Sequence, residues 1–167
     1  MKDNELLQLE SGPGAAVQGP TSPRHRILVV DNDRDLRRLY TDALARPGYA
    51  VETAEDGADG WQALWTKPFD LLITEYGLPG LNGIELVRKL RAAHMALPVI
   101  MASERSPADE LAQNPSLQLA ALLPKPFYIS QLLETVRDVL HTAGDDREQP
   151  DLLPEWRGRP APSGLRL

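Results

Sequence analysis

The stretch LLITEYGLPGLNG (residues 71–83) is an apolar run that ends on an acid and passes into a loop of glycine and proline. A short apolar run with no polar alternation is the pattern of a strand covered on both faces, as in a parallel sheet. The Gly-Leu-Pro-Gly that follows is turn chemistry. In open α/β sheets, ligands gather beyond the carboxyl ends of the strands. Glu75 stands at such an end, so its residue type bears on both the fold and the chemistry.

The same pattern repeats on either side. RILVV (26–30) is a second buried-strand run, followed by Leu36, Leu39, Tyr40, Ala43 and Leu44 at helical spacing, with Asp33 placed to cap that helix. Arg-Pro-Gly at 46–48 stops it. YAVETA (49–54) reads as a strand and 57–66 as a helix, with Asp56-Gly57 as the turn between them. FDLLIT (69–74) is the strand that ends at Glu75, and GIELVRKLRAAH (83–94) the helix after it. PVIMA (98–102) and AALL (120–123) are the remaining strands. Between them, Pro107 and Pro115 bracket 105–118 too tightly for a good helix. YISQLLETVRDVLHTA (128–143) closes the series, with Leu132, Leu133, Val136, Val139 and Leu140 at core spacing. Five consecutive βα units predict an α/β fold, a doubly wound five-stranded parallel sheet with helices on both faces. The residues after its strands are Asp31-Asn32-Asp33, Glu75, Ser103 and Lys125, and the topology brings them toward one crevice.

The chain has 167 residues, 42% of them hydrophobic, enough for one domain and extensions. Its 24 acidic and 18 basic side chains give a net charge of −6, which argues against nucleic acid as the main partner. No run is long and apolar enough for a bilayer-spanning helix, and no apolar run behind Lys2 suggests a secretory leader. The absence of cysteine removes disulfides, thiolate metal sites and Cys nucleophiles together. His25, His94 and His141 stand at element ends, with no second ligand at metal spacing. SGPGAAVQGPTSP (11–23) lacks periodicity, so residues 1–23 are expected to be a flexible leader, with a short helix allowed over 2–10. Residues 144–167 are Pro-rich and charged and are expected to be a disordered tail, in which Trp156 is incidental or part of a docking segment. Of the paired tryptophans, Trp61 is expected in the core and Trp65 partly exposed.

Four of these segments together resemble the CheY-like receiver domain of two-component response regulators, over residues 24–143. They are ILVVDND (27–33), DLLITEYGLPGLNGIEL (70–86), PVIMAS (98–103) and LLPKPF (122–127), in the family's order and spacing. The resemblance implies the flavodoxin-like (βα)5 fold. It also implies a chemistry: an aspartate accepts a phosphoryl group from phosphohistidine, acids hold a Mg²⁺, and a lysine and a hydroxyl engage the phosphoryl oxygens. Carried over by position, Asp31 and Asn32 fall on the acidic pair, Glu75 on the phosphoacceptor, Ser103 on the hydroxyl and Lys125 on the lysine. Lys125-Pro126 resembles the family's cis peptide.

Three positions depart from the family pattern. Glu75 replaces the nucleophilic aspartate, and its extra methylene moves the carboxylate by roughly 1 Å, a displacement that can cost on the order of a hundredfold in rate. Asn32 brings an uncharged oxygen where Mg²⁺ prefers a carboxylate. Leu122 stands where many receivers carry the aromatic that responds to phosphorylation, and leucine has no polar tip to exchange between environments. Glu75 then has two readings: a solvated strand-end carboxylate without a role, or a fixed ion pair with Lys125 that imitates the phosphorylated form. Ser103 is either a strand-end cap or a ligand.

The resulting expectation is an atypical, stand-alone cytoplasmic regulator that acts through protein–protein contact and independently of aspartyl phosphorylation. Fewer than 30 residues follow the last helix, too few for a DNA-binding module. No cofactor is expected, with a weak Mg²⁺ site on Asp31, Glu75 and the Gly77 backbone as the exception. The implied partners are a histidine kinase, a phosphotransfer protein or an effector, meeting the first helix or residues 105–143, the latter also a candidate homodimer face. Neither nucleic acid nor membrane is expected. Two alternatives stand beside this: a conventional phosphorylation-responsive receiver with weakened Mg²⁺ binding, and a haloacid-dehalogenase-like phosphatase. In the second, VVDNDRDL (29–36) supplies Asp31 as nucleophile and Asp33 as acid/base, with Thr74 or Ser103 and Lys125 on phosphate.

Overall fold

A computed structural model describes residues 25–145. Five strands, β1 (Arg26–Val30), β2 (Ala50–Ala54), β3 (Leu71–Thr74), β4 (Val99–Ser103) and β5 (Ala121–Pro124), form one sheet. Every pairing is parallel, in the order β2-β1-β3-β4-β5. The helices are α1 (Arg34–Ala45), α2 (Gly57–Thr66), α3 (Gly83–Ala92), α4 (Ala108–Gln113) and α5 (Ile129–Asp145), with a 3₁₀ turn at Pro115–Leu117 between α4 and β5. The doubly wound fold expected from the sequence is therefore the one observed. The leader, the Trp156 segment and the tail lie outside the described residues, except that Gly144 and Asp145 continue α5.

Alternate residues along each strand serve the two faces, as the pleat requires. Leu28, Val30, Leu72, Val99 and Met101 pack with Leu64, Leu86, Val87 and Leu90 of α2 and α3. Ile27, Val29, Leu71, Ile73 and Ile100 pack with Tyr40, Leu44, Leu132, Val136 and Leu140 of α1 and α5. β3 and β4 are buried throughout, which is why their sequences show no polar alternation.

Two expectations about the core need correction. Leu39 is 46% exposed although it shares helical spacing with Tyr40 and Ala43. It stands beside an open groove between α1 and the start of α5, lined also by Leu36, Phe127 and Ile129. Trp61 is only half-buried: it packs against the α2–α3 core cluster, but its other side meets the Trp65 ring at 5.7 Å and the Lys89 ammonium at 5.6 Å. The segment bracketed by prolines forms six residues of α-helix and then the 3₁₀ turn. Arg91 ties that turn to α3: its guanidinium donates to the carbonyls of Leu117, Gln118, Met95 and Leu97. Burial pushes the Arg91 pKa down from its usual value.

Candidate functional site

Strand order reverses between β1 and β3, and there the register sets two acids side by side. Val30 pairs with Thr74, and the next residues, Asp31 and Glu75, leave the sheet together. The Glu75 N–H donates to the Val30 carbonyl at 2.9 Å and the Asp31 N–H to the Ala54 carbonyl at 3.2 Å, so both backbones stay anchored at the sheet edge. On the other side, Ser103 pairs with Pro124, and Lys125 follows with its N–H on the Ser103 carbonyl at 2.9 Å. The Lys125-Pro126 peptide is cis, as the resemblance implied.

The lysine closes the site. Its Nζ donates to Glu75 Oε2 at 2.6 Å and to Asp31 Oδ2 at 2.9 Å. Glu75 and Asp31 are only 8% and 2% exposed, so the two anions share one cation away from bulk water. Burial works against the charge on Lys125, but its hydrogen bonds to Glu75 and Asp31 and their negative charge outweigh it. Its pKa is held above that of an ordinary lysine. The remaining carboxylate oxygens are also engaged: Asp31 Oδ1 accepts from the Asp33 N–H at 2.9 Å and Glu75 Oε1 from the Gly77 N–H at 3.1 Å. Thr74 turns its hydroxyl to the Glu75 carbonyl at 3.2 Å.

The other strand-end residues have separate tasks. Asn32 is exposed. Asp33 accepts from the N–H groups of Asp35 and Leu36, which caps α1 and lowers its carboxyl pKa below the usual value. A residue so committed is poorly placed for the acid/base role of the phosphatase reading. The Ser103 oxygen accepts from the Arg105 N–H at 3.1 Å, a turn cap. Leu122 is 37% exposed on β5.

Three contacts around the site have partners that the periodicity of the sequence does not signal. Arg37 on α1 donates to the Asp31 carbonyl at 2.6 Å and fixes the turn that presents the acid. Tyr40, stacked on Phe127 at 5.9 Å, backs the site, and burial pushes its phenol up to about 12. Tyr76, directly after Glu75, donates its hydroxyl to Glu110 Oε1 of α4 at 2.6 Å. Nothing in the sequence pairs Tyr76 with a carboxylate 34 residues away.

Glycine brings the β3–α3 loop against the strand end. A Cβ at Gly83 would lie 2.1 Å from the Glu75 carbonyl oxygen, and one at Gly57 would lie 2.0 Å from that of Leu81. Asn82 and Glu85 close a reciprocal capping box at the start of α3. The Gly83 N–H donates to the Tyr76 carbonyl at 3.0 Å, so the loop after Glu75 is held at both ends.

Comparison with known proteins agrees with this architecture. A family model described as the response regulator receiver domain matches residues 27–137. Response regulator MprA of Mycobacterium sp. (strain KMS) is 33% identical over 126 residues, covering 75% of this chain and 54% of that protein. MprA of Mycobacterium avium (strain 104) is 34% identical over 115 residues, covering 69% of this chain and 50% of that protein. The chain thus spans about half the length of the curated relatives it matches. Among solved structures, chemotaxis response regulator CheY4 of Vibrio cholerae is 26% identical with a TM-score of 0.64, covering 69% of this chain and 98% of that one. Response regulator TrrA of Thermotoga maritima, solved with Mg²⁺ and BeF, is 26% identical with a TM-score of 0.62 at the same coverage. Sheet order, strand-end residues and family match coincide over one stretch of sequence: the chain belongs to the response regulator receiver family.

Proposed function

We propose that this receiver works in two-component signalling by protein–protein interaction, without aspartyl phosphorylation, and that its acceptor position is held in one state by the Lys125–Glu75 ion pair. The observation that carries this reading is the position of the ammonium, 2.6 Å from Glu75 and 2.9 Å from Asp31. A nucleophilic carboxylate needs an oxygen free for in-line attack on phosphorus. Glu75 has one oxygen on Lys125 and the other on the Gly77 amide.

The donor set also fits Mg²⁺ poorly. In a receiver the metal offsets the charge of the transferring phosphoryl group. It is held by one or two carboxylates and completes a near-octahedral shell with other oxygens, chiefly water. Here Lys125 already supplies a positive charge to both acids, Asn32 contributes none, and all four carboxylate oxygens accept from N–H donors. Among the described residues, no group of three or more His, Cys, Asp or Glu side chains is arranged to hold a metal ion. A site on Asp31, Glu75 and the Gly77 carbonyl would share its acids with the Lys125 ammonium, whose charge opposes a second cation.

The partners that suit this role are a histidine kinase, a phosphotransfer protein or an effector. The candidate surfaces are α1, where Leu39 is exposed, and residues 105–143, where Leu122 and the 80%-exposed Tyr128 stand at the surface. No helix among the described residues is long and apolar enough to cross a membrane, and a cytoplasmic site of action accords with the proposed role. The test is incubation with Mg²⁺ and acetyl phosphate, followed by intact mass and peptide mapping. The expected result is no adduct on the wild-type chain. A hydroxylamine-labile phosphoryl group on Glu75 would overturn the proposal.

A further inference from the structure

α4 is the least anchored helix of the domain. It has six residues, none buried, and its N-cap, Pro107, offers no side-chain cap. Asn114 and Pro115 end it, and the Asn114 amide folds back onto the Glu110 carbonyl within the same segment. Leu111 gives it a partial apolar contact with the core. Among the described residues, one side-chain hydrogen bond joins α4 to another element, and it comes from Tyr76.

Tyr76 is well placed to transmit. The Glu75 carboxylate before it is held by Lys125, and the Gly77 amide after it donates back to Glu75. Its own carbonyl is fixed by the Gly83 N–H, and its ring packs partly buried against the core. A rearrangement of the Glu75 carboxylate that gives up the Gly77 N–H would release the backbone on the far side of Tyr76. The far end of the Tyr76 ring holds Glu110 through a hydrogen bond to a carboxylate, roughly twice as strong as a neutral one. On β5, Leu122 has no polar atom with which to make such a link.

We propose that the Tyr76–Glu110 hydrogen bond is the device that couples the acceptor position to α4 in this chain. The inference rests on the reading of Glu75 as held by Lys125. It places the relay on the β3–α3 loop, on the opposite side of β4 from Leu122.

Amide hydrogen exchange of the full chain, followed by NMR, tests it in wild type, Tyr76→Phe, Glu110→Gln, Glu75→Gln and the Glu75→Gln/Tyr76→Phe double variant. The α4 amides of Leu111 and Asn114 are expected to exchange about tenfold faster in Tyr76→Phe, the factor set by one such bond, and by a smaller factor in Glu110→Gln, whose amide oxygen still accepts from the hydroxyl. The core amides of Leu28 and Ile73 serve as controls for folding. Glu75→Gln is expected to accelerate α4 in the wild-type background and to add nothing once the Tyr76 hydroxyl is gone. Unchanged α4 exchange in both single variants would overturn the inference, as would a Glu75→Gln effect that persists in full without the hydroxyl. Phosphorylation of wild-type Glu75 would sink the functional proposal separately, since the Tyr76→Phe and Glu110→Gln result does not depend on it.

Discussion

Lys125 and Glu75, fifty residues apart, meet at 2.6 Å because the strand order places the ends of β3 and β5 on either side of β4. The lysine side chain is 11% exposed and the glutamate 10%, so this is an ion pair removed from most solvent. Asp31 makes it a three-membered cluster with one cation and two anions. Such a cluster is costly to form and more costly to break on one side.

Replacing Lys125 with methionine leaves two buried carboxylates uncompensated. The expected loss is on the order of 3 kcal/mol, read as a lower urea midpoint at neutral pH. Adding Glu75→Gln to that variant removes one of the two charges and should restore part of the stability. A Lys125→Met protein as stable as wild type would show that the pair contributes little.

The raised pKa of Lys125 predicts an alkaline response with a defined sign. A lysine whose folded pKa lies above its unfolded value, about 10.4, stabilises the protein fully below that value. The contribution is lost as pH rises through the folded pKa. The stability difference between wild type and Lys125→Met should therefore be flat from neutral pH to near 10 and shrink above it. Denaturant melts across that range measure it, and a difference that vanishes well below pH 10 would contradict the assignment.

Gly83→Ala should disturb the site without touching a charged group. The added Cβ would lie 2.1 Å from the Glu75 carbonyl oxygen, a backbone atom that cannot swing aside. Either α3 or the strand end must shift, at a cost of about 1–3 kcal/mol. The check is a thermal melt with chemical shifts of the Glu75–Gly77 amides, which should move most. Gly80→Ala is a poor control because of its positive φ of 69°, whereas Gly144→Ala meets no neighbouring atom.

Much of this was legible in the sequence, for physical reasons. A parallel strand buried on both faces is apolar through its centre, so β1, β3 and β4 announce themselves, and polar residues mark their carboxyl ends. That rule located Asp31, Glu75 and Ser103. Periodicity says only which helix face is apolar, and it could not show that the groove beside Leu39 stays open or that Trp61 is shared between core and surface. Contacts made by one long side chain to distant backbone or to a distant carboxylate leave no pattern at all. Arg37 on the Asp31 carbonyl, Arg91 on four carbonyls and Tyr76 on Glu110 belong to that class. The division of the proline-bracketed segment into a helix and a 3₁₀ turn was likewise decided by tertiary packing, with Leu117 buried as its anchor.

Whether Lys125 holds the acceptor position closed to phosphoryl chemistry is read most directly by titration with Mg²⁺ and beryllofluoride, watched through the backbone amides of Asp31, Glu75 and Gly77 by NMR. Little response is expected in the wild-type protein, and a saturable response when Glu75→Asp and Asn32→Asp are combined, since the pair restores both the reach and the charge that the family chemistry requires. Saturable binding by the wild-type chain, with shifts centred on Glu75, would contradict that closure.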